Sequence, residues 1–265
     1  MAWSTLLTPF SDPYERKARG LPALLTILPL LVLLGCARGI ERPVPTAFLT
    51  LFAACGGVTA LAAVGRVLGK GLEQRMVCRW GGLPTTLVLR HKTGHYNAYT
   101  LERHHTRLEN LAGLVLPTPA EEEVNPADAD ARYAAATDRL RQATRGKKFP
   151  HLRRENIAYG FYRNALALKP VGLLLCFASL AGGAVLSGVI QGRPTTIDWN
   201  RLVSPGIAGS VAMASAVVIS LVWCGLTRTG LKRVGTAYAD RLFECLEGLP
   251  AAGRTRKNKG AIHES

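Results

Sequence analysis

Leu21–Ala37 reads LPALLTILPLLVLLGCA, and three later stretches share its character: TAFLTLFAACGGVTALAAVG over Thr46–Gly65, VGLLLCFASLAGGAVLSGVIQ over Val171–Gln191 and VSPGIAGSVAMASAVVISLVWCGLT over Val203–Thr227. None contains Asp, Glu, Lys, Arg or His. Each approaches the ~20 residues that a helix needs to cross the hydrocarbon of a bilayer. The expected fold class is therefore an all-α membrane protein, with two transmembrane helical hairpins (four spans) flanking a mostly helical cytoplasmic domain. The expected organisation is a cytoplasmic N-terminal tail over 1–20, hairpin 1 over 21–65, a cytoplasmic domain with a juxtamembrane helix over 66–169, hairpin 2 over 170–227, and a cytoplasmic amphipathic helix and basic tail over 228–265.

Around these runs the chain is polar enough to hold the mean hydropathy of its 265 residues at +0.13. Arg16, Lys17 and Arg19 precede the first run, as in a signal peptide. However, Cys36-Ala37-Arg38 is a poor cleavage site and a second apolar run follows at once, so an uncleaved span is expected. Of 33 Lys and Arg, 18 lie in Arg66–Lys169, three before Leu21 and eight from Arg228 onward, while each short loop carries two. Basic residues collect on the cytoplasmic side of short loops. With 29 of 33 on one face, both termini and the middle domain are expected in the cytoplasm, and the protein in the inner membrane of a bacterium.

The formal net charge of +15 invites a nucleic-acid partner. Basic residues beside spans have another use: they meet anionic headgroups, at ~1 kcal/mol each near the surface. The expected partners are the lipid bilayer, further copies of the chain, and an unknown cytoplasmic protein or small-molecule signal, rather than nucleic acid. The six cysteines form no CxxC pair and suggest neither a disulfide framework nor a zinc knuckle. No cofactor is expected.

Small residues recur at four-residue spacing in Ser179-x3-Gly183-x3-Ser187 and in Gly206-x3-Ser210-x3-Ala214. That spacing lets helix backbones approach closely in lipid. With no ionisable residue inside a run, an ion-coupled transporter is disfavoured. In the middle domain, Trp80–Thr86 reads as a turn-rich loop followed by a short extended piece, Leu87–Leu89. Tyr99–Ala112 has helical periodicity, and Asn125-Pro126 opens a helix. Glu121–Glu123 reads as a solvated acidic patch. Arg153–Lys169, rich in aromatics and Arg, is expected to lie in the membrane interface, with Pro170 starting the third span. Arg154, Tyr159, Phe161, Arg163 and Asn164 are its candidate coupling residues. The fourth span is expected to continue as an amphipathic stalk marked by Leu231, Val234, Tyr238, Leu242, Cys245 and Leu249.

Catalytic signals are sparse. His91-x3-His95 and His104-His105 include residue types that bind zinc, but Gly94 interrupts the pair and there is no HExxH. Arg145-x5-His151 has the spacing of a helical ribonuclease motif, with Pro150 breaking the helix it would need. Phosphate-loop, dinucleotide and nucleophile-elbow motifs are missing. No catalytic residue and no metal ligand is expected, and a non-enzymatic role is favoured over a membrane-anchored metal-dependent hydrolase or nuclease, or a small channel or transporter subunit.

Glu155-Asn156-Ile157-Ala158-Tyr159-Gly160-Phe161-Tyr162-Arg163-Asn164 resembles the E-N-x-x-Y-G-F-x-R-N signature of an uncharacterised group of bacterial four-span membrane proteins. Gly81–Thr86 matches that group's G-G-x-P-T-T loop. The layout is also similar to that of four-span antiphage effectors. That similarity is one of architecture, which does not fix function; an oligomeric membrane protein that perturbs the bilayer on a cytoplasmic signal is the most concrete form of the non-enzymatic role.

Overall fold

The computed structural model describes residues 14–38, 43–146, 148–191, 196–198 and 206–250, without the side chains of 38, 43–54, 191, 196 and 197. The expected basic tail from Ala251, the first 13 residues and most of both short loops lie outside these. A π-helix, Glu15–Gly20, leads into α1 (Leu21–Arg38). There follow α2 (Pro43–Trp80), α3 (Pro84–Leu87), α4 (Ala98–Ala112), α5 (Pro119–Val124), α6 (Pro126–Ala143), α7 (Pro150–Leu186), α8 (Ile207–Gly225) and α9 (Arg228–Glu244). Between α7 and α8, Ile190–Gln191 (β1) pairs antiparallel with Thr196–Ile197 (β2), Ile190 opposite Ile197. Among the described residues the fold is thus all-helical apart from this two-residue ribbon.

Two compact units divide the chain: Met1–Gln74 with Ile157–Leu231, and Arg75–Asn156 with Lys232–Ser265.

In the first unit, large apolar side chains point outward. Leu174 is 65% exposed, Phe177 70%, Val218 60% and Leu221 67%. Where its helices meet most closely the interior holds small residues: Ser179, Ala212 and Ala216 are wholly buried, while Leu168 and Trp223 form a separate buried cluster. That inversion suits a lipid solvent, in which apolar surface need not be hidden and small residues bring helices together. A Cβ on Gly209 would lie 2.6 Å from the Gly183 carbonyl oxygen, so α7 and α8 touch backbone to backbone. On its other side, α7 meets α1 where Ser179 Oγ donates to the Pro29 carbonyl at 2.9 Å. Three described helices are long and apolar enough to cross a membrane, Glu15–Ala37, Pro150–Leu186 and Ile207–Gly225, the property of an integral membrane protein. The remaining run, Thr46–Gly65, lies on α2, with its side chains through residue 54 outside the described residues.

The second unit has a water-soluble type of core. Leu89, Leu108, Tyr133, Ala136, Leu140, Leu242 and Phe243 are fully buried in one cluster. Its helices carry side-chain caps at their N-termini, of which the sequence marked Asn125. Asn97 Oδ1 accepts from Thr100 N–H, Asn125 Oδ1 from Asp128 N–H, and Thr118 with Glu121 forms a reciprocal capping box.

Four local expectations are corrected. Leu87–Leu89 is not extended: α3 ends at Leu87, and Val88 and Leu89 turn with N–H bonds to Pro84 and Thr86. Three apolar residues cannot tell a strand from a buried turn. Glu122 is not part of a solvated patch, being only 5% exposed. Pro170 does not start a helix but lies inside α7, which runs unbroken from Pro150 to Leu186. A proline is tolerated inside a membrane helix where neighbouring groups serve the freed carbonyl. Finally, α8 does not continue into a stalk. The chain breaks at Leu226–Thr227, with Leu226 extended (ψ 116), before α9 begins.

Candidate functional site

Tyr159 and Arg163 stand four residues apart on α7, the spacing that puts two side chains on one helix face. Both reach Glu73 of α2. Tyr159 Oη donates to one carboxylate oxygen at 2.6 Å, and Arg163 Nη1 donates to the other at 2.8 Å. The Arg163 and Glu73 side chains are only 12% and 21% exposed. A pair so shielded cannot lose one partner cheaply, because the charge left behind is poorly solvated.

Asn164, 1% exposed, adds a third contact: its Nδ2 donates to the Ala18 carbonyl at 2.8 Å. An α-helical bond to that carbonyl would come from the N–H of residue 22, which is proline and has none. The winding before Pro22 is π-helical, with Leu21 N–H bonding back to the Arg16 carbonyl. Two glycines make room for the meeting. A Cβ at Gly69 would lie 2.4 Å from Asn164 Oδ1, and one at Gly160 would lie 3.1 Å from the Ala18 Cβ.

The adjoining face of α7 secures the joint between α8 and α9. Thr227 N–H donates to Tyr162 Oη at 3.0 Å, and Lys169 Nζ donates to the Leu226 carbonyl at 2.9 Å. Lys169 therefore caps the C-terminal end of α8, where a cation is favoured. Segment 157–169 touches the π-helix, α2 and the α8–α9 joint, all within one unit.

Of the five coupling candidates, the structure brings Tyr159, Arg163 and Asn164 into this network. Phe161 packs against the apolar cluster around Leu168 and Trp223. Arg154 is exposed and belongs to the second unit. Sequence reasoning passed over Glu73, Tyr162 and Lys169. Glu73 had a signal: it is the only acid on α2, among Arg66, Lys70, Arg75 and Arg79.

The histidines of the second unit have separate partners. His91 Nε2 faces the Pro117 carbonyl at 3.2 Å and His95 Nε2 faces Asp240 at 2.8 Å. His105 Nε2 bonds the Leu89 carbonyl at 2.9 Å. His104 packs between Tyr96 and Phe243. Burial lowers the pKa of both His104 and His105, with help from Arg103 at the former. Among the described residues, no three His, Cys, Asp or Glu side chains gather to hold a metal ion. Burial pushes the Cys245 thiol up, away from a reactive thiolate.

The same unit holds a cavity of about 520 Å³ lined by Arg90, His91, Lys92, Glu122, Glu123 and Pro126 among others. Two of these groups are fixed: Glu122 accepts from the His91 and Lys92 N–H groups and from Tyr133 Oη, and Arg90 is paired with Asp130 at 2.5 Å. Burial and the Glu122 contact push the Tyr133 phenol far up, and the Asp130 hydrogen bond raises Arg90. Lys92 and Glu123 are exposed at the rim.

No family model, curated protein or solved structure matches this chain.

Proposed function

We propose that this chain is a non-enzymatic protein of the bacterial inner membrane that couples a cytoplasmic signal or partner to its transmembrane helices. In this reading it has four spans in two hairpins, both termini lie in the cytoplasm, and several copies assemble. On receiving the signal, the assembly perturbs the membrane, as a defence effector would. The observation that carries the reading is the shielded Tyr159–Glu73–Arg163 contact. Ionisable groups held inside or at the edge of a helical membrane unit are costly and mark functional elements by default. Two helices locked by one carboxylate, with the next residue bonded to a third element, suit a part that has two discrete arrangements. The 520 Å³ cavity is within the size range of small-molecule sites and supports a small-molecule signal.

The test separates coupling from anchoring. Arg163→Ala and Asn164→Ala are expressed in bacteria, and growth and membrane potential are followed beside membrane insertion and oligomer size. Coupling predicts that at least one variant loses the effect on the membrane while inserting and assembling as the wild type does. If insertion falls in step with activity in every variant, the segment is an anchor and the proposal fails.

A further inference from the structure

A cavity of about 200 Å³ opens in the first unit between the π-helix and α2, lined in part by Glu15, Arg19, Val58, Thr59, Ala62 and Arg66. Its two arginines occupy matching places in the sequence. Arg19 stands two residues before the first apolar run, and Arg66 directly follows the second. Both charges therefore sit at one end of an apolar wall, with Ala62, Thr59 and Val58 leading from Arg66 back into the uncharged run.

Arg19 already neutralises Glu15 through an Nη1 ion pair, and its guanidinium lies 5.7 Å from the Tyr14 ring centroid. Its Nε remains buried without a partner. With Nε shut off from the cavity, Arg19 can meet an occupant only through its Nη groups. Arg66 is exposed on the opposite wall. Counting Glu15, Arg19 and Arg66, the lining carries one net positive charge. The occupant that fits is anionic at one end, rich in hydrogen-bond acceptors and apolar beyond.

We propose that this cavity is a binding site for an anionic phospholipid. Its phosphate sits between Arg19 and Arg66, and an acyl chain runs along Val58, Thr59 and Ala62. Guanidinium matches phosphate geometry better than any other side chain. At about 200 Å³ the cavity falls below the usual range for drug-sized ligands yet can take a headgroup. A zwitterionic headgroup brings its own cation, which Arg66 repels, and free phosphate gains nothing from the apolar wall. The site goes beyond the coupling reading and does not depend on it.

The full chain, purified in non-ionic detergent and stripped of lipid, is titrated with phosphatidylglycerol, phosphatidylcholine and inorganic phosphate and followed by native mass spectrometry. One phosphatidylglycerol per chain is expected to bind in preference to the other two. Arg66→Gln should weaken it about fivefold, the worth of one basic residue near a membrane surface. Thr59→Phe, which crowds the apolar wall from an exposed position and leaves the charge alone, should weaken it too. Circular dichroism confirms that both variants keep wild-type helix content. Equal retention of phosphatidylcholine would overturn the proposal. So would displacement of the lipid by inorganic phosphate at the same concentration, or wild-type affinity in both variants.

Discussion

Asn164 of α7 donates to the carbonyl of Ala18 across 2.8 Å, and Pro22 has no N–H to give that carbonyl an α-helical bond. The arrangement is a cross-helix repair: a side chain 146 residues away supplies the donor that proline removed. Asn164→Leu keeps the approximate volume and removes that donor from the buried Ala18 oxygen. It should cost about 1–3 kcal/mol in the detergent-solubilised protein. Pro22→Ala restores an N–H four residues beyond Ala18 and should recover most of that loss in the double variant. Thermal unfolding of the four species checks the cycle. If Pro22→Ala adds its own loss without rescue, the carbonyl was not the reason Asn164 matters.

Glu73 and Arg163 should show strong coupling. Glu73→Ala strands a largely buried guanidinium, and Arg163→Ala strands the carboxylate with only Tyr159 for company. Each single change should destabilise by about 2–3 kcal/mol, with the double variant well short of the sum. Chemical unfolding in mild detergent reads the difference. Strict additivity would mean that the 2.8 Å contact carries no energy of its own.

Much of this was legible before the structure. Absence of charge marked the three helices long and apolar enough to cross a membrane, and Asn125-Pro126 marked a helix start, because capping is local chemistry. Tyr159, Arg163 and Asn164 stood out for their residue types beside a span. Their partners did not. Glu73 precedes Tyr159 by 86 residues, and Ala18 contributes only a backbone oxygen, which has no signature in sequence. Pro170 misled because a proline can sit inside a membrane helix when neighbouring groups serve the carbonyl it frees. Glu122 misled because its neighbours Glu121 and Glu123 are exposed while it alone turns toward Tyr133 and the His91 N–H.

Acid should loosen the second unit before its carboxylates titrate. The folded state holds the pKa of His104 and His105 below the ordinary histidine value, chiefly by burial. The unfolded chain then binds more protons in the window from about pH 6.5 down to those lowered values, so stability falls as pH drops through it. Above about pH 8 both rings are neutral in either state and stability from this source is level. Thermal unfolding followed by circular dichroism between pH 7.5 and 5 should show the decline. His104→Phe, which fits beside Tyr96 and Phe243, should flatten part of it. A profile unchanged by His104→Phe would place the acid sensitivity elsewhere.

Topology is open to a direct test. The 29-to-4 partition of Lys and Arg predicts that the short loops face outward and that the region around Cys78 faces the cytoplasm. Val44→Cys and Thr195→Cys should react with a membrane-impermeant maleimide in intact cells. Cys78, exposed on α2, should react only after the membrane is opened. The comparison is internal, since all three positions are read in the same cells under the same reagent. The Val44 result also bears on the Thr46–Gly65 run: two outward positions flanking the two hairpins require four crossings, with the chain returning to the cytoplasm each time. Labelling of Cys78 in intact cells with Val44→Cys protected would invert the protein in the membrane and remove the basis for a cytoplasmic signal.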